Sequence, residues 1–316
     1  MTRSVKENAL ILVRGMAMGA ADVVPGVSGG TIAFITGIYD ELLHSLKNIG
    51  PAALMVLFKQ GFGEFWRHIN GTFLVCLFVG ILISIKTFAQ IISFCLDSYP
   101  LIVWGFFSGL IAASIILLFK KHPEWRVKDF VLCAIGALIV VGISLAKPAQ
   151  VPGTPIMLFF GGFIAICAMI LPGISGSFLL LLMGLYPVFL AAINELDIMA
   201  LGCFAAGCIS GLLVFSRFLS WLLDRFYTQT LALLVGFLIG SLNVTWPWKV
   251  VLQTMRDRHG DEVPLVQRNV WPWNFEDLTQ TDTMFWFVVI STCGGIFLVL
   301  FTEYIAKRLV VNRSNQ

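Results

Sequence analysis

Long runs of apolar residues, separated by short polar segments, dominate the chain. Six of these runs are suited to cross a hydrocarbon core of about 30 Å, which takes roughly 20 residues of helix. They extend from Phe73 to Leu96, Leu101 to Phe119, Phe130 to Ala146, Met199 to Leu223, Leu231 to Val244 and Met284 to Ile305. The fifth run is the shortest, so we expect its helix to begin a turn earlier, near Thr228. The pattern predicts an all-α polytopic membrane protein.

Two further apolar stretches are interrupted by Pro-Gly-x-Ser-Gly, one in each half of the chain. Pro25–Gly30 reads PGVSGG, and Pro172–Ser177 reads PGISGS at an offset of 147 residues. Matching glycines continue the correspondence upstream and downstream of these breaks. We therefore predict two repeats, residues 1–147 and 148–316, each made of a re-entrant or broken-helix hairpin and three transmembrane helices.

An odd number of crossings in each repeat decides how the two repeats are related. Whether the hairpin adds no crossing or two, the count stays odd, so the second repeat is upside down relative to the first, as in many secondary transporters. Of the 21 Lys and Arg residues, we assign 13 to the face that carries both termini and five to the opposite face. The positive-inside rule then predicts cytoplasmic termini in a bacterial inner membrane.

Composition excludes several classes of protein. Hydrophobic residues make up 58% of the chain and charged residues 12%, and the mean hydropathy of +0.89 is too high for a soluble domain. No basic tract indicates nucleic acid binding. The seven cysteines all lie in apolar segments and the four histidines lie far apart, so we expect no metal and no cofactor.

The interrupted segments carry the chemistry. Proline and glycine end the first arm of each hairpin, and Ser28 or Ser175 is suited to cap the next helix, whose first N–H groups lack partners. Two such helix starts, entering from opposite sides, would direct partial positive charge at one place and bind an anion. The alternative is a pair of kinked spans whose serines bond to the preceding turn. The expected anion-binding residues are Pro25, Gly26, Ser28, Gly29, Gly30, Thr31, Lys86, Pro172, Gly173, Ser175, Gly176, Ser177 and Arg217.

Three charged residues inside apolar segments need an explanation. Asp22 lies three residues from the first break, Lys86 lies near the middle of its span, and Arg217 lies toward the cytoplasmic third. Charges at such depth are costly and mark functional sites or structural ion pairs. Asp22 is the candidate coupling group for H⁺ or Na⁺, and its partner could be a loop N–H group, one of the two cations or a proton. The second repeat has Met169 at the matching position, so the site is chemically asymmetric.

The segment from Gly19 to Thr31, GAADVVPGVSGGT, resembles the signature of the PopT polyprenyl-phosphate transporters. The resemblance covers the whole chain and is most specific in the first hairpin. It implies a transporter that returns undecaprenyl phosphate, a carrier of cell-wall precursors, from the outer to the inner leaflet. The connector at residues 246–283, which contains Trp-Pro-Trp twice, is no part of this resemblance.

The residues fit such a substrate, although two other functions stay open. A prenyl tail can remain among membrane lipids, so only the phosphate needs a path through the protein. A membrane phosphatase acting on undecaprenyl diphosphate also uses a Pro-Gly-x-Ser loop, but it needs an arginine after the serine, where this chain has Gly29 and Gly176. The sequence has no pair of glutamates on a helix that would act as general acid and base, so we expect that the protein is not an enzyme. A small-anion channel could also use opposed helix starts.

Overall fold

The structure is a computed structural model that describes residues 3–22, 28–121, 125–146, 151–256 and 262–314. These residues form helices and one two-stranded sheet. The first half contains α1 (Val5–Asp22), α2 (Gly29–Ile35), α3 (Tyr39–Lys47), α4 (Pro51–Gln60), α5 (Phe62–His68), α6 (Gly71–Ser98), α7 (Pro100–Lys121) and α8 (Val127–Leu145). The second half contains α9 (Pro155–Ile170), α10 (Gly176–Leu182), α11 (Tyr186–Asn194), α12 (Ile198–Arg225), α13 (Tyr227–Val244), β1 (Lys249–Arg256), β2 (Glu262–Asn269), α14 (Pro272–Thr279) and α15 (Phe285–Ser314).

The segments that follow the two breaks have the same local structure. α2 and α10 each have seven residues, and α3 and α11 each have nine. Ser28 and Ser175 are extended residues that cap α2 and α10, because each hydroxyl accepts a backbone N–H of the first turn. Gly37 and Gly184 follow these helices with φ angles of 73° and 70°, a conformation that favours glycine. The repeated sequence therefore encodes a repeated turn between two short helices.

Each hairpin lies against the long helix of its own half. α1 packs along α6, and α9 packs along α12. The backbones approach closely at glycines, since a Cβ on Gly15 would lie within 3.0 Å of the Leu77 carbonyl oxygen, and one on Gly162 would lie within 3.0 Å of that of Phe204. Small residues let helices pack in this way in lipid, where dispersion contacts hold them together.

The remaining long helices pair across the two halves. α7 packs along α15, and α8 packs along α13, so each half contributes one helix to each pair. A Cβ on Gly109 or Gly236 would lie within 3.0 Å of a carbonyl oxygen of the partner helix. Buried apolar residues from both halves, among them Ile32, Leu77 and Leu219, belong to one cluster. The halves therefore share a core.

Several of the described helices can cross a membrane. α7, α8, α12 and α13 are long and apolar enough to do so individually. Two bent pairs qualify if each counts as one span: α5 with α6, bent by 67°, and α10 with α11, bent by 108°. α9 and the apolar part of α15 are shorter. The prediction of a helical, multi-pass membrane protein is confirmed, and the bend after α10 is compatible with either form of the hairpin.

Residues 246–283 add a small sheet that the sequence analysis did not predict. β1 and β2 pair antiparallel, with Lys249 opposite Asn269, and α14 follows them. The ring N–H groups of Trp246 and Trp248 donate to backbone carbonyls at 2.8 and 2.9 Å, one just after β2 and the other just before α15. Trp248 also packs on Phe275 and on the first turns of α15. Among the described residues this hairpin is the one sheet, and tryptophan contacts hold it against the ends of the helices.

Candidate site between the hairpin tips

Asp22 ends α1 and faces the start of α2. Its carboxylate accepts a hydrogen bond from the backbone N–H of Gly29 at 2.6 Å. A Cβ on Gly29 would lie 2.6 Å from the other carboxylate oxygen, so the close approach depends on glycine. The first N–H groups of a helix have no partner inside the helix, and a carboxylate is a favourable one. The sequence allowed a loop N–H group, a cation or a proton as the partner of Asp22. In the structure its hydrogen-bond partner is a loop N–H group, that of Gly29.

The two hairpin tips contact each other directly. The Ser28 hydroxyl donates to the Met169 carbonyl at 2.8 Å, and the Thr31 hydroxyl accepts the backbone N–H of Gly173 at 2.8 Å. Ser28 and Thr31 are each 1% exposed, so protein surrounds both bonds. A Cβ on Gly30 would lie 2.7 Å from the Met169 carbonyl oxygen, which leaves no room for a side chain. Met169, the counterpart of Asp22, thus contributes its backbone instead of a charge.

The second tip is neutral and is organised by hydroxyl groups. Ser175 accepts the backbone N–H of Phe178 at 3.5 Å, and its hydroxyl lies 3.0 Å from that of Ser177. Gly173 has a φ angle of 85°. A Cβ on Gly173 or Gly176 would lie within 3.0 Å of a backbone carbonyl oxygen, of α13 or α9 respectively. The glycines of the motif are therefore required by close backbone contacts.

A small pocket opens beside the second tip. Its wall consists of Val140, Ile143 and Ser144 of α8, Gly173, Ile174, Ser175 and Phe178 of the tip, and Val244 at the end of α13. Ser144 and Ser175 supply the only side-chain polar groups of this wall, which is otherwise apolar. The pocket holds about 10 Å³, room for about one water molecule, so it marks a mostly apolar surface beside the tip and not a preformed ligand cavity.

The structure does not bring the two predicted cations to the tips. The Arg217 guanidinium donates to the carbonyls of Ile49 at 3.0 Å and Leu213 at 3.3 Å, so it satisfies the backbone just after α3. Lys86 is exposed on α6. Among the described residues, neither cation has an ion pair with Asp22.

The other predicted site residues differ in accessibility. Pro25 and Gly26 lie outside the described residues. In the second tip, Pro172 is buried, whereas Ser177 is exposed. Within the part of the chain that the structure describes, no three His, Cys, Asp or Glu side chains are grouped as metal ligands.

A set of polar contacts at the end of α13 was not predicted from the sequence. Asn243 and Lys249 take part in them, and Ser144 links them to the pocket. In the sequence, Lys249 is one of the five basic residues assigned to the face opposite the termini. The adjoining Trp-Pro-Trp was the one available signal, because such aromatic residues hold a loop close to the helices.

Comparisons with known proteins agree on one family. A model of the undecaprenyl phosphate translocase-like family matches residues 18–263. A polyprenyl-phosphate transporter of Vibrio cholerae serotype O1 is 45% identical over 296 residues, which are 94% of this chain and 96% of that protein. A polyprenyl-phosphate transporter of Staphylococcus aureus is 31% identical over 254 residues, 75% of this chain and 85% of that protein. No solved structure is significantly similar. The family resemblance of the first hairpin is thus confirmed over most of the chain, which belongs to the undecaprenyl phosphate translocase-like family.

Proposed function

We propose that this protein transports undecaprenyl phosphate across the bacterial cytoplasmic membrane and returns this lipid carrier to the inner leaflet. The observation that carries the proposal is the contact between matched hairpin tips, from Ser28 to Met169 and from Thr31 to Gly173. Paired interrupted segments in two repeats are where secondary transporters bind their substrates. Two relatives named polyprenyl-phosphate transporters support the same class of substrate.

The headgroup is the part of this substrate that needs the protein. A phosphate monoester carries a charge of about −1.5 to −2 near neutral pH, and moving a bare ion into hydrocarbon costs on the order of tens of kcal/mol. The tips offer backbone N–H groups and the hydroxyls of Ser28, Thr31, Ser175 and Ser177. In this proposal the phosphate replaces the hydrogen bonds that the tips make with each other. Binding of the headgroup and separation of the tips are then one event.

The two halves act as inverted repeats in this proposal. The order α1, α2, α3, α6, α7, α8 is matched by α9, α10, α11, α12, α13, α15. The packing of α1 on α6 is matched by that of α9 on α12. An odd number of crossings in each half inverts the second half, and the distribution of Lys and Arg supports cytoplasmic termini. Inverted hairpins would open the site to each side of the membrane in turn.

Asp22 is the proposed coupling group. Its carboxylate accepts the N–H of Gly29, a donor that a phosphate at the tip would also use. Two anions cannot share this donor without strong repulsion. Binding of H⁺ or Na⁺ to Asp22 would neutralise the carboxylate and free the N–H for the phosphate. The ion gradient and the lipid movement are thereby linked at one hydrogen bond.

Neither alternative function fits the tips as well. A phosphatase of the type considered needs an arginine after the motif serine, where this chain has glycine. A side chain at Gly29 would require the Asp22 carboxylate to shift, and one at Gly176 would collide with the backbone of α9. A small-anion channel would need a polar cavity that excludes a lipid tail. The pocket beside Ser175 is largely apolar instead. These features favour a lipid transporter that performs no catalysis.

Reconstitution into liposomes tests the proposed function. Labelled undecaprenyl phosphate, introduced into one leaflet, should reach the other leaflet faster than in protein-free vesicles. Gly30→Leu should abolish this transfer because its side chain collides with Met169, whereas Gly142→Ala, which meets open space, should leave it unchanged. Phosphate release from undecaprenyl diphosphate without lipid transfer would establish the enzyme instead. Flux of inorganic anions without lipid transfer would establish the channel.

A further inference from the structure

Four polar side chains connect the β-hairpin to the ends of α13 and α8. The Lys249 ammonium donates to the Val244 carbonyl. Asn269, which is opposite Lys249 in the sheet, donates to both oxygens of Asn243 at 2.8 Å. Asn243 in turn donates to the Ser144 hydroxyl at 2.9 Å. We call Lys249, Asn269, Asn243 and Ser144 the polar collar.

The polar collar borders the pocket beside the second tip. Ser144 belongs to both, and Val244, whose carbonyl accepts from Lys249, also lines the pocket. Ser175 of the second tip lies in the same wall. The pocket therefore lies between the polar collar and the second tip, where the headgroup is proposed to bind. Apolar side chains such as Val140 line it.

Lys249 lacks a counter-charge among its described neighbours. Its Nζ atom lies 4.1 Å from the centroid of the Trp104 ring, and burial lowers its pKa to about 7. Among the side chains that the structure describes, no carboxylate lies within ion-pair distance of Nζ. An ammonium has three donors. The Val244 carbonyl and the Trp104 ring engage two of them at most, so Lys249 can still bind an anion.

Anchoring of the hairpin alone would not require a positive charge. The neutral side chain of Asn269 already bonds the hairpin to Asn243 of α13, and Trp246 and Trp248 bond to carbonyls that flank the sheet. A partly buried ammonium without a carboxylate costs free energy that a neutral amide would avoid. With a pKa of about 7, Lys249 is about half protonated at neutral pH, and a bound anion would stabilise its charged form.

We propose that the polar collar and the adjoining pocket form a second phosphate-binding site, which holds the headgroup of a prenyl phosphate on the hairpin side of the membrane. Lys249 supplies the charge and an N–H donor. Ser144 and Asn269 hold the collar in position, because the Ser144 hydroxyl donates to the Val141 carbonyl at 2.8 Å and both amide N–H groups of Asn269 donate to Asn243. The first isoprene units lie against the apolar wall of the pocket. The identity of this ligand rests on the proposed function, whereas the presence of an anion site does not.

Binding of geranyl phosphate, a ten-carbon prenyl phosphate, to the full-length protein in detergent tests this site. Lys249→Gln keeps a donor for the Val244 carbonyl but removes the charge, and it should raise the Kd about tenfold. Lys249→Arg should stay within about threefold of the wild type, because it keeps the charge. Arg268→Gln is the matched control, since Arg268 is exposed on β2, one residue before Asn269.

The outcomes of this experiment are distinct. An unchanged Kd in Lys249→Gln overturns the proposal, and so does equal weakening in Arg268→Gln, which would reveal only long-range attraction between charges. Inorganic phosphate that binds the wild type as tightly as geranyl phosphate would overturn the prenyl-phosphate assignment and give the site to free phosphate.

Amide hydrogen exchange in β1 and β2 reports whether the hairpin stays in place. If Lys249→Gln loses protection there, Ser144→Ala decides, because Ser144 lies on α8 outside the hairpin. Binding about threefold weaker in Ser144→Ala supports the site, and unchanged binding contradicts it. Lipid transfer by the wild type with a Kd independent of Lys249 contradicts only the second site. Lys249-dependent binding without lipid transfer contradicts only the proposed function.

Discussion

The acidic side chain of Asp22 accepts a hydrogen bond from the backbone N–H of Gly29. In lipid, the N–H of Gly29 needs a partner from the protein, and the Asp22 carboxylate provides it. An ionised carboxylate at this depth costs several kcal/mol, and one hydrogen bond offsets only part of that cost. In the proposed function, this carboxylate binds a proton or a cation when a phosphate competes for the same donor.

Asp22→Asn separates the hydrogen bond from the charge. The amide oxygen can still accept the Gly29 N–H, so the free energy of unfolding should fall by no more than about 1 kcal/mol. Headgroup binding should persist, because the neutral side chain mimics the protonated acid. Lipid transfer in liposomes should no longer respond to a proton or sodium gradient. Asp277→Asn on the exposed face of α14 is the control, and a gradient response that survives in Asp22→Asn rules out the coupling role.

The sequence identified charged groups at depth but not their partners. Asp22 was conspicuous as an acid in an apolar stretch, yet its bond to Gly29 depends on the turn between α1 and α2. Arg217 was expected near the tips from its position along the helix. Its long side chain instead reaches the Ile49 carbonyl, across to the segment after α3. Such choices depend on tertiary packing, which a linear pattern does not contain.

At the scale of elements, apolar runs predicted the long helices well. The helix expected to begin near Thr228 begins at Tyr227, because a helix in lipid must continue until its backbone groups reach water. The β-hairpin was not predicted, since its strands lack a regular apolar and polar alternation and contain Pro264. Contacts of Trp246 and Trp248 hold it in place, and these join residues on either side of the sheet.

Gly236→Ala tests whether glycines set the distance between paired helices. Its Cβ would lie within 3.0 Å of the Cys133 carbonyl oxygen, so α8 and α13 would have to move apart. We expect the free energy of unfolding in detergent to fall by about 1–3 kcal/mol. Gly294→Ala in α15 meets open space and should be neutral or slightly stabilising. Equal effects of the two changes would contradict a role of glycine in packing.

At the scale of the whole molecule, the inverted arrangement has a direct topological test. Gln60 and Glu195 are exposed and follow the hairpins of the first and second halves. In a variant without the seven native cysteines, a membrane-impermeant maleimide should modify Gln60→Cys only from the cytoplasmic side and Glu195→Cys only from the other. Vesicles of both orientations provide the measurement. Modification of both positions from one side would mean that the halves run parallel.

The pairing of helices from opposite halves also limits the order in which the fold can form during biosynthesis. α7 and α8 enter the bilayer before α13 and α15, their packing partners, have been translated. The helix faces that contain Gly109 and Gly136 therefore contact lipid or the insertion machinery until α15 and α13 have been synthesised. A chain that ends after α8 contains α7 and α8 without the helices on which they pack. Two separately translated halves, by contrast, could complete each other when they meet in the same bilayer.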